Sequence, residues 1–334
     1  MDKAEAERIF TPPAMQALAA FPLEPEGLEL VSLSENVTFR VRDRADGADY
    51  VLRLHRPGYH SLEELNSERV WTRALAAAGI AVPIPFATRA GGDYVAVPVP
   101  ALGQVPQAGM ARWTEGELLA DVLERGDDAA AAERAFEQLG AIEAAMHNQS
   151  SAWRPPPGFA RHAVDRDGLM GDAPFWGPFW DAPVFTPAER ALVIATRDRI
   201  RGAMDRYGRE PATFGMIHAD LHPGNLLVGA DGLTVIDFDD CAFGWHLYDI
   251  AVGLVHQQHS PHFAARRDAF VHGYRTARPL SDDALALLPM FLLVRVLAQT
   301  GWLHQRPEIV VPRATIRANA DRLLAQCEAF EVPC

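Results

Sequence analysis

Lysine is almost missing from this 334-residue chain: Lys3 is the only one, and the other 30 basic side chains are arginines. Any role that calls for a lysine ammonium within the body of the protein therefore falls to arginine, whose bulkier planar fork is not interchangeable with it. Cysteine is scarce as well. Cys241, Cys327 and Cys334 are odd in number and form no C-x-x-C pair, which argues against a disulfide framework or a zinc cluster and points to a reducing compartment. No apolar leader follows the charged start Met1-Asp2-Lys3-Ala4-Glu5, so the expected location is the cytoplasm. The strongest apolar run, Ala284 to Leu303, contains Pro289 and Arg295 and reads as a buried helix, not a membrane span. Neither G-x-G-x-x-G nor a Walker A pattern is present, so no glycine cradle for phosphates is visible.

Charge is unbalanced toward acid, with 31 Lys+Arg against 44 Asp+Glu and a net charge of −13. Such a surface repels phosphate backbones and anionic lipid, so neither nucleic acid nor a membrane is the expected partner. A metal-chelated nucleotide is still compatible, because a divalent cation reverses the local sign. Hydrophobic residues at 49% supply a core, and the length corresponds to about two domains.

The first stretch alternates strand-like runs with turns, whereas the chain after Trp113 is dominated by helical periodicity. The expectation is an α+β fold in two lobes: residues 1–109 as a β-rich lobe and 110–334 as a mainly helical one. Strands are predicted at Leu28–Leu33, Val37–Val41, Tyr50–Leu54 and Tyr94–Val99. Between the last two, Ser61-Leu62-Glu63-Glu64 is a capping-box pattern that opens a helix to about Ala78. Further helices are predicted over Asp127–Asn148, from Thr186-Pro187-Ala188-Glu189, and after Asp249, Pro261, Ser281 and Pro312. Trp153 to Phe185, rich in Pro, Gly and aromatics, reads as a long packed loop.

The most informative string is His218-Ala219-Asp220-Leu221-His222-Pro223-Gly224-Asn225. A short strand follows, then a turn at Asp231-Gly232 and Leu233-Thr234-Val235-Ile236-Asp237-Phe238-Asp239. The spacing places Asp220 in a loop before the hairpin, Asn225 at its start and Asp237 where the returning strand ends, so that their oxygens can converge and suit Mg²⁺. Phosphoryl transfer needs such a set: one carboxylate to accept the proton of the acceptor hydroxyl, and an amide oxygen with another carboxylate to hold the metal on the phosphates. Taken singly, the dipeptides are ordinary turn residues; the ordered whole is what points to chemistry.

Through "HADLHPGNLL", "VIDFDD" and "YDIA" the sequence resembles the aminoglycoside phosphotransferase and choline kinase-like family, relatives of the protein kinases. The resemblance implies a protein kinase-like fold using ATP and Mg²⁺. It implies Asp220 as catalytic base, Asn225 and Asp237 as metal ligands, and Asp239 as a second acidic position with a lesser metal or water-positioning role. His218 would brace the loop and Asp249 would tie its backbone.

A fold of this kind also needs a cation on the third strand, paired to an acid on the intervening helix. Arg53, on the face shared with Val51, is the candidate where the family leads one to expect lysine. Glu68, on the stripe of Leu65, Trp71 and Leu75, is the candidate acid; an exposed Arg53 and a solvated Glu68 form the alternative. Ser34-Glu35-Asn36, within "SENVTFRV", resembles the family's substitute for a phosphate-binding glycine loop, with Ser34 and Asn36 as donors, and is equally compatible with an ordinary turn. Met110 to Trp113 resembles the hinge whose backbone reads adenine.

His256, His259 and His262 have metal-like spacing, but Pro261 interrupts them, and surface or helix-end histidines are the preferred reading. Phe175-Trp176-Gly177-Pro178-Phe179-Trp180 could wall an acceptor pocket, with packing of the long loop as the default. The expected activity is transfer of the ATP γ-phosphate to a hydroxyl of a small molecule of the amino alcohol, aminoglycoside or homoserine-like class. The alternatives are a bacterial stress-response type Ser/Thr protein kinase and a nucleotide-binding module without turnover.

Overall fold

A computed structural model describes residues 2–126, 128–230 and 232–332; Asp127 of the predicted helix, Asp231 of the predicted turn and Cys334 lie outside them. The chain forms two units. One comprises Met1–Leu119, Pro155–Arg161 and Leu226–Asp239, the other Ala120–Arg154, His162–Asn225 and Asp240–Cys334.

In the first unit, α1 (Lys3–Leu18) starts at Asp2, whose carboxylate accepts the Glu5 N–H at 2.8 Å and so satisfies one of the orphan donors of the first turn. Strands β1 (Pro25–Leu33), β2 (Val37–Asp43) and β3 (Asp49–Leu54) form the predicted antiparallel meander. After α2 (Leu62–Ala77), the strands β4 (Pro85–Phe86), β5 (Tyr94–Ala96) and β6 (Gln107–Arg112) complete a sheet of order β1-β2-β3-β6-β4, with β5 also on β6. Along β3 the period of two buries Tyr50, Leu52 and Leu54 and turns Val51 and Arg53 to the other face. The buried face shares one core with Phe10, Ala14 and Leu18 of α1.

Helix α2 carries the predicted capping box in full: Ser61 Oγ accepts the Glu64 N–H at 3.2 Å and Glu64 Oε2 accepts the Ser61 N–H at 3.0 Å. Its buried stripe is Leu65, Glu68, Trp71 and Leu75.

Two elements differ from the sequence reading. The strand predicted over Tyr94–Val99 stops at Ala96, and the partner of β3 on the side away from β2 is β6, at the stretch assigned to the lobe junction. Ala108, Gly109 and Met110 have little intrinsic strand preference; they are extended because β3, β4 and β5 all pair with them. Pro12 and Pro13 sit inside α1, and residues that normally break helices left no sequence signal for it.

The chain continues through α3 (Leu119–Arg125), α4 (Ala129–Ala152), β8 (Ala163–Val164), α5 (Arg166–Met170), α6 (Pro187–Tyr207) and β9 (Phe214–Ile217), with β7 (Glu117–Leu118) just before them. It then returns to the first unit as the hairpin β10 (Leu226–Gly229) and β11 (Gly232–Val235), where β10 pairs with β7. That pairing makes the first unit discontinuous, whereas the sequence expectation was one cut between residues 109 and 110.

The second unit is completed by β12 (Ala242–Trp245), α7 (His246–Val255), α8 (Phe263–Ala277), α9 (Asp282–Leu285), α10 (Leu288–His304) and α11 (Arg313–Ala329). Helices α4 and α8 meet at glycines: a Cβ on Gly140 would lie 2.0 Å from the Phe270 carbonyl oxygen, and one on Gly273 1.9 Å from that of Glu137. Helix α7 is buried throughout and begins at His246, ahead of the predicted start after Asp249. The stretch Asp282–His304 is long and apolar enough to cross a membrane by length and composition. Its residues Met290, Phe291, Val294 and Leu297 are buried within the protein, as the sequence reading expected of a core helix. The Trp153–Phe185 segment packs as predicted, with Trp176, Phe179 and Trp180 all buried, but it is not a loop throughout, since it contains β8 and α5.

Candidate active site

In the second unit, the loop after β9 carries His218, Asp220 and His222, and the Pro223–Asn225 helical turn that follows ends in Asn225. Ala219 has φ +64°, a left-handed conformation that costs a residue with a Cβ about 1–2 kcal/mol. Asp249 of α7 holds it there. Its Oδ2 accepts the His218 N–H at 3.0 Å and its Oδ1 the Ala219 N–H at 2.8 Å. Nδ1 of His218 accepts the Asp220 N–H at 3.3 Å. The tying role expected of Asp249 and the bracing role expected of His218 are both present.

Asp220 and Asn225 are brought together. The Asn225 amide Nδ2 donates to the Asp220 carbonyl at 2.9 Å and to its Oδ2 at 3.0 Å, which leaves the Asn225 amide oxygen for another partner. His222 Nε2 lies 3.6 Å from the same Oδ2. Oδ1 of Asp220 is paired to Arg295 of α10. Burial alone would raise the Asp220 carboxyl, but Arg295, His222 and His218 outweigh it and hold it below the usual carboxylate range.

In the first unit, Arg53 Nη1 donates to Asp237 Oδ1 at 2.8 Å. Burial opposes the charge on Arg53, but Asp237, Asp239 and Glu68 outweigh that cost and hold the guanidinium above its ordinary value. Asp237 is 41% exposed, so solvent and ligands reach it, and it too has a left-handed backbone, with φ +64°. The pairing expected between Arg53 and Glu68 is corrected. Among the described residues the direct partner of Arg53 is Asp237, while Glu68 is buried, acts on Arg53 at longer range and leaves Oε2 without a hydrogen bond.

Asp239 is buried, and both of its carboxylate oxygens are engaged. Asn36 Nδ2 donates to Oδ2 at 3.2 Å, His55 Nδ1 lies 3.3 Å from Oδ1, and Arg161 donates to its backbone carbonyl at 2.6 Å. Burial pushes this carboxyl up, but His55, Arg53 and His60 outweigh it and hold it below the usual carboxylate range. Asn36 also accepts the Arg56 N–H at 2.9 Å, so its side chain is a clamp between the β1–β2 turn, the end of β3 and Asp239, while Ser34 stays exposed on that turn. Val51 shares the partly exposed face of β3 with Arg53.

The residues read as a hinge are placed differently. Met110 is a core residue of β6, paired to Leu52 on one side and Phe86 on the other. Trp113 gives its backbone N–H to the Asp49 carbonyl at 2.9 Å, and its ring lies under Arg40, 4.6 Å from the centroid. Sheet pairing on both edges of β6 accounts for the difference. His256, His259 and His262 are all exposed, in keeping with the preferred surface reading.

Sequence reasoning missed two groups. One is Arg295, whose only signal was a charge in the middle of an apolar helix; a buried charge needs a partner, but nothing local names it. The other is the pair Glu143 and His147, buried beside Asp249, with ligand atoms of the three within 4.8 Å of one another. His147 Nε2 lies 3.2 Å from Asp249 Oδ2 and its Nδ1 2.9 Å from the Tyr274 hydroxyl, while neither Glu143 oxygen has a hydrogen-bond partner among the described residues. Burial, then the Asp249 charge, pushes the Glu143 carboxyl well up. The i, i+4 spacing of Glu143 and His147 puts them on one face of α4, a signal that was available.

A family model described as the phosphotransferase enzyme family matches residues 27–287. The chain is 24% identical over 305 residues to an amicoumacin kinase of Bacillus subtilis strain 168, covering 87% of this chain and 83% of that protein. It is 31% identical to the solved structure of a microcompartment-associated aminopropanol kinase, with a TM-score of 0.78 and coverage of 95% of this chain and 94% of that one. An amicoumacin kinase solved in complex with AMP-PNP, Ca²⁺ and Ami is 22% identical, with a TM-score of 0.79 and coverage of 98% and 96%.

Proposed function

The chain belongs to the phosphotransferase enzyme family and has its protein kinase-like α+β fold; from that premise we propose ATP as its donor, Mg²⁺ as its metal and an amino alcohol as the class of its acceptor. Phosphate transfer to a small-molecule hydroxyl is the activity of its relatives and of this enzyme. The acceptor class follows the aminopropanol kinase, to which the chain is 31% identical over almost all of its length. The proposed place of action is the cytoplasm, in keeping with Cys241 and Cys327 both being buried as thiols.

The observation that carries this reading is the setting of Asp220: an ionised carboxylate, a quarter exposed, on a loop fixed by Asp249 and bonded to the amide of Asn225. Asp220 takes the proton from the acceptor hydroxyl as its oxygen attacks the γ-phosphorus and the bond to the ADP oxygen breaks. By the resemblance to the family, Asn225 and Asp237 would each give an oxygen to the metal. Their donor set fits Mg²⁺ because it is oxygen only, with the Asn225 carbonyl oxygen and the second Asp237 oxygen left over from their protein bonds. When bound, the ion neutralises charge that builds on the phosphates. Arg53, with Glu68 behind it, steadies those phosphates through its planar fork. Asp239, with both oxygens engaged, keeps Asn36 and His55 in place.

The test is ADP release from Mg-ATP with a panel of amino alcohols, homoserine and aminoglycosides, beside labelled-ATP incubation with protein substrates. Turnover with an amino alcohol that is lost in Asp220→Asn is expected. Labelling of protein alone would favour the protein kinase reading, and saturable Mg-ATP binding without any transfer the non-catalytic one.

A further inference from the structure

We infer that Arg295 is a positioning residue for phosphate transfer, fixing both the carboxylate of Asp220 and the backbone that presents it. The inference rests on Asp220 acting as the base.

Arg295 lies in the middle of α10 among Phe291, Leu292, Val294, Leu297 and Ala298, all buried. A guanidinium in such a helix is retained only where its charge is compensated. One arm of its fork pairs with Asp220 Oδ1, and the other donates to the Ala219 carbonyl at 3.4 Å. Ala219 is the left-handed residue whose N–H is held by Asp249. The strained residue is therefore gripped at its N–H from α7 and at its C=O from α10, and Asp220 follows it directly in sequence.

The same fork divides the labour of the two Asp220 oxygens. Oδ1 is occupied by Arg295, so the carboxylate cannot rotate freely. Oδ2 faces Asn225 and His222 and keeps lone-pair capacity for a proton. The Arg295 side chain is 8% exposed and that of Asp220 25%. A ligand reaches the carboxylate more readily than the guanidinium beneath it. Arg295 thus acts through Asp220. Its flank rests on the Trp176 ring, 5.7 Å from the centroid, which fixes the guanidinium in turn.

The experiment uses the full chain with Mg-ATP and the best acceptor of the panel, comparing Arg295→Met, Arg295→Lys and Asp220→Asn. Readouts are kcat, the KM for ATP, AMP-PNP affinity and the melting temperature. Arg295→Met is expected to lower kcat by about 100-fold, the scale on which a misplaced catalytic group is felt, with KM for ATP and AMP-PNP affinity within about threefold of wild type. Arg295→Lys is expected to recover about tenfold of that loss while staying below wild type, since an ammonium replaces charge but not the fork. The inference is overturned if folded Arg295→Met keeps kcat within about threefold of wild type, or if nucleotide affinity and melting fall in step with kcat and lysine restores nothing. Should Arg295→Met fail to fold, Arg295→Lys decides alone, an unchanged kcat counting against the proposal and a reduced kcat with intact AMP-PNP binding for it. An inactive Asp220→Asn beside a fully active Arg295→Met removes this inference only, whereas an active Asp220→Asn removes the assignment of the base beneath it.

Discussion

Arg53 and Asp237, 184 positions apart in sequence, are joined by a 2.8 Å bond between the third strand and the acid that follows the β10–β11 hairpin. The strand cation is thus tied to the proposed metal ligand, and not to the helix acid Glu68. Asp237→Asn is expected to leave Arg53 without its anionic partner and the metal without a carboxylate. Its turnover should fall by at least about 10³-fold, a loss that raising Mg²⁺ to tens of millimolar recovers only in part. A titration of rate against Mg²⁺ checks this; a wild-type midpoint would count against Asp237 as a ligand.

Asp220→Asn keeps shape and the Asn225 contact at the backbone carbonyl but removes the proton acceptor. The expected loss in kcat is about 10²–10⁴-fold, the usual contribution of a general base, with AMP-PNP binding retained. Stopped-time ADP assays with calorimetric AMP-PNP titration separate the two.

Glu143 and Asp249 give the stability a defined pH dependence. Burial holds the Glu143 carboxyl well up and raises Asp249 to about 6. An acid raised in the folded state keeps a proton that the unfolded chain releases at about pH 4, so its contribution is complete below that pH and is lost as pH rises through the folded value. His147, pushed well below its usual value by burial and by Arg278, has the opposite sign: its contribution is present above about pH 6.5 and lost as pH falls. Glu143→Gln removes one descending component. The melting temperature of the variant should therefore decline less between pH 5.5 and pH 8 than that of wild type; equal declines would show that Glu143 titrates normally.

At the start of α2, Ser61→Ala removes the side-chain acceptor of the capping box. A loss of about 1 kcal/mol is expected in urea unfolding, with kcat unchanged. A destabilisation several times larger would mean that Ser61 has a role beyond the cap.

What could be read from the sequence was what neighbours in sequence decide. The capping boxes of α2 and α6 needed only residues three apart, and the loop roles of His218, Asp220 and Asn225 are carried by eight consecutive residues. Strand β3 announced its own alternation, and with it the face of Arg53. What could not be read depends on partners far along the chain. Ala108, Gly109 and Met110 are a strand only because three others pair with them, and Met110 is for that reason a core residue where a hinge was expected. Arg295 was visible as an anomalous charge, yet its meaning waits on Asp220, 75 positions earlier. Glu68 was placed on the right stripe of α2, but the choice between two acids for Arg53 was made by the return of the hairpin, which no local pattern encodes.

The guanidinium at position 53 also sets which reagents can mark this enzyme. Acyl phosphates and sulfonyl fluorides that tag primary amines beside bound nucleotide find none on β3, and the lone amine side chain, Lys3, sits exposed in the first turn of α1. Chemoproteomic inventories built on amine capture will pass over this kinase. Vicinal dicarbonyls, which condense with guanidines, are the warheads suited to Arg53, and a nucleotide scaffold carrying one would discriminate it from kinases in which a strand lysine fills the corresponding role.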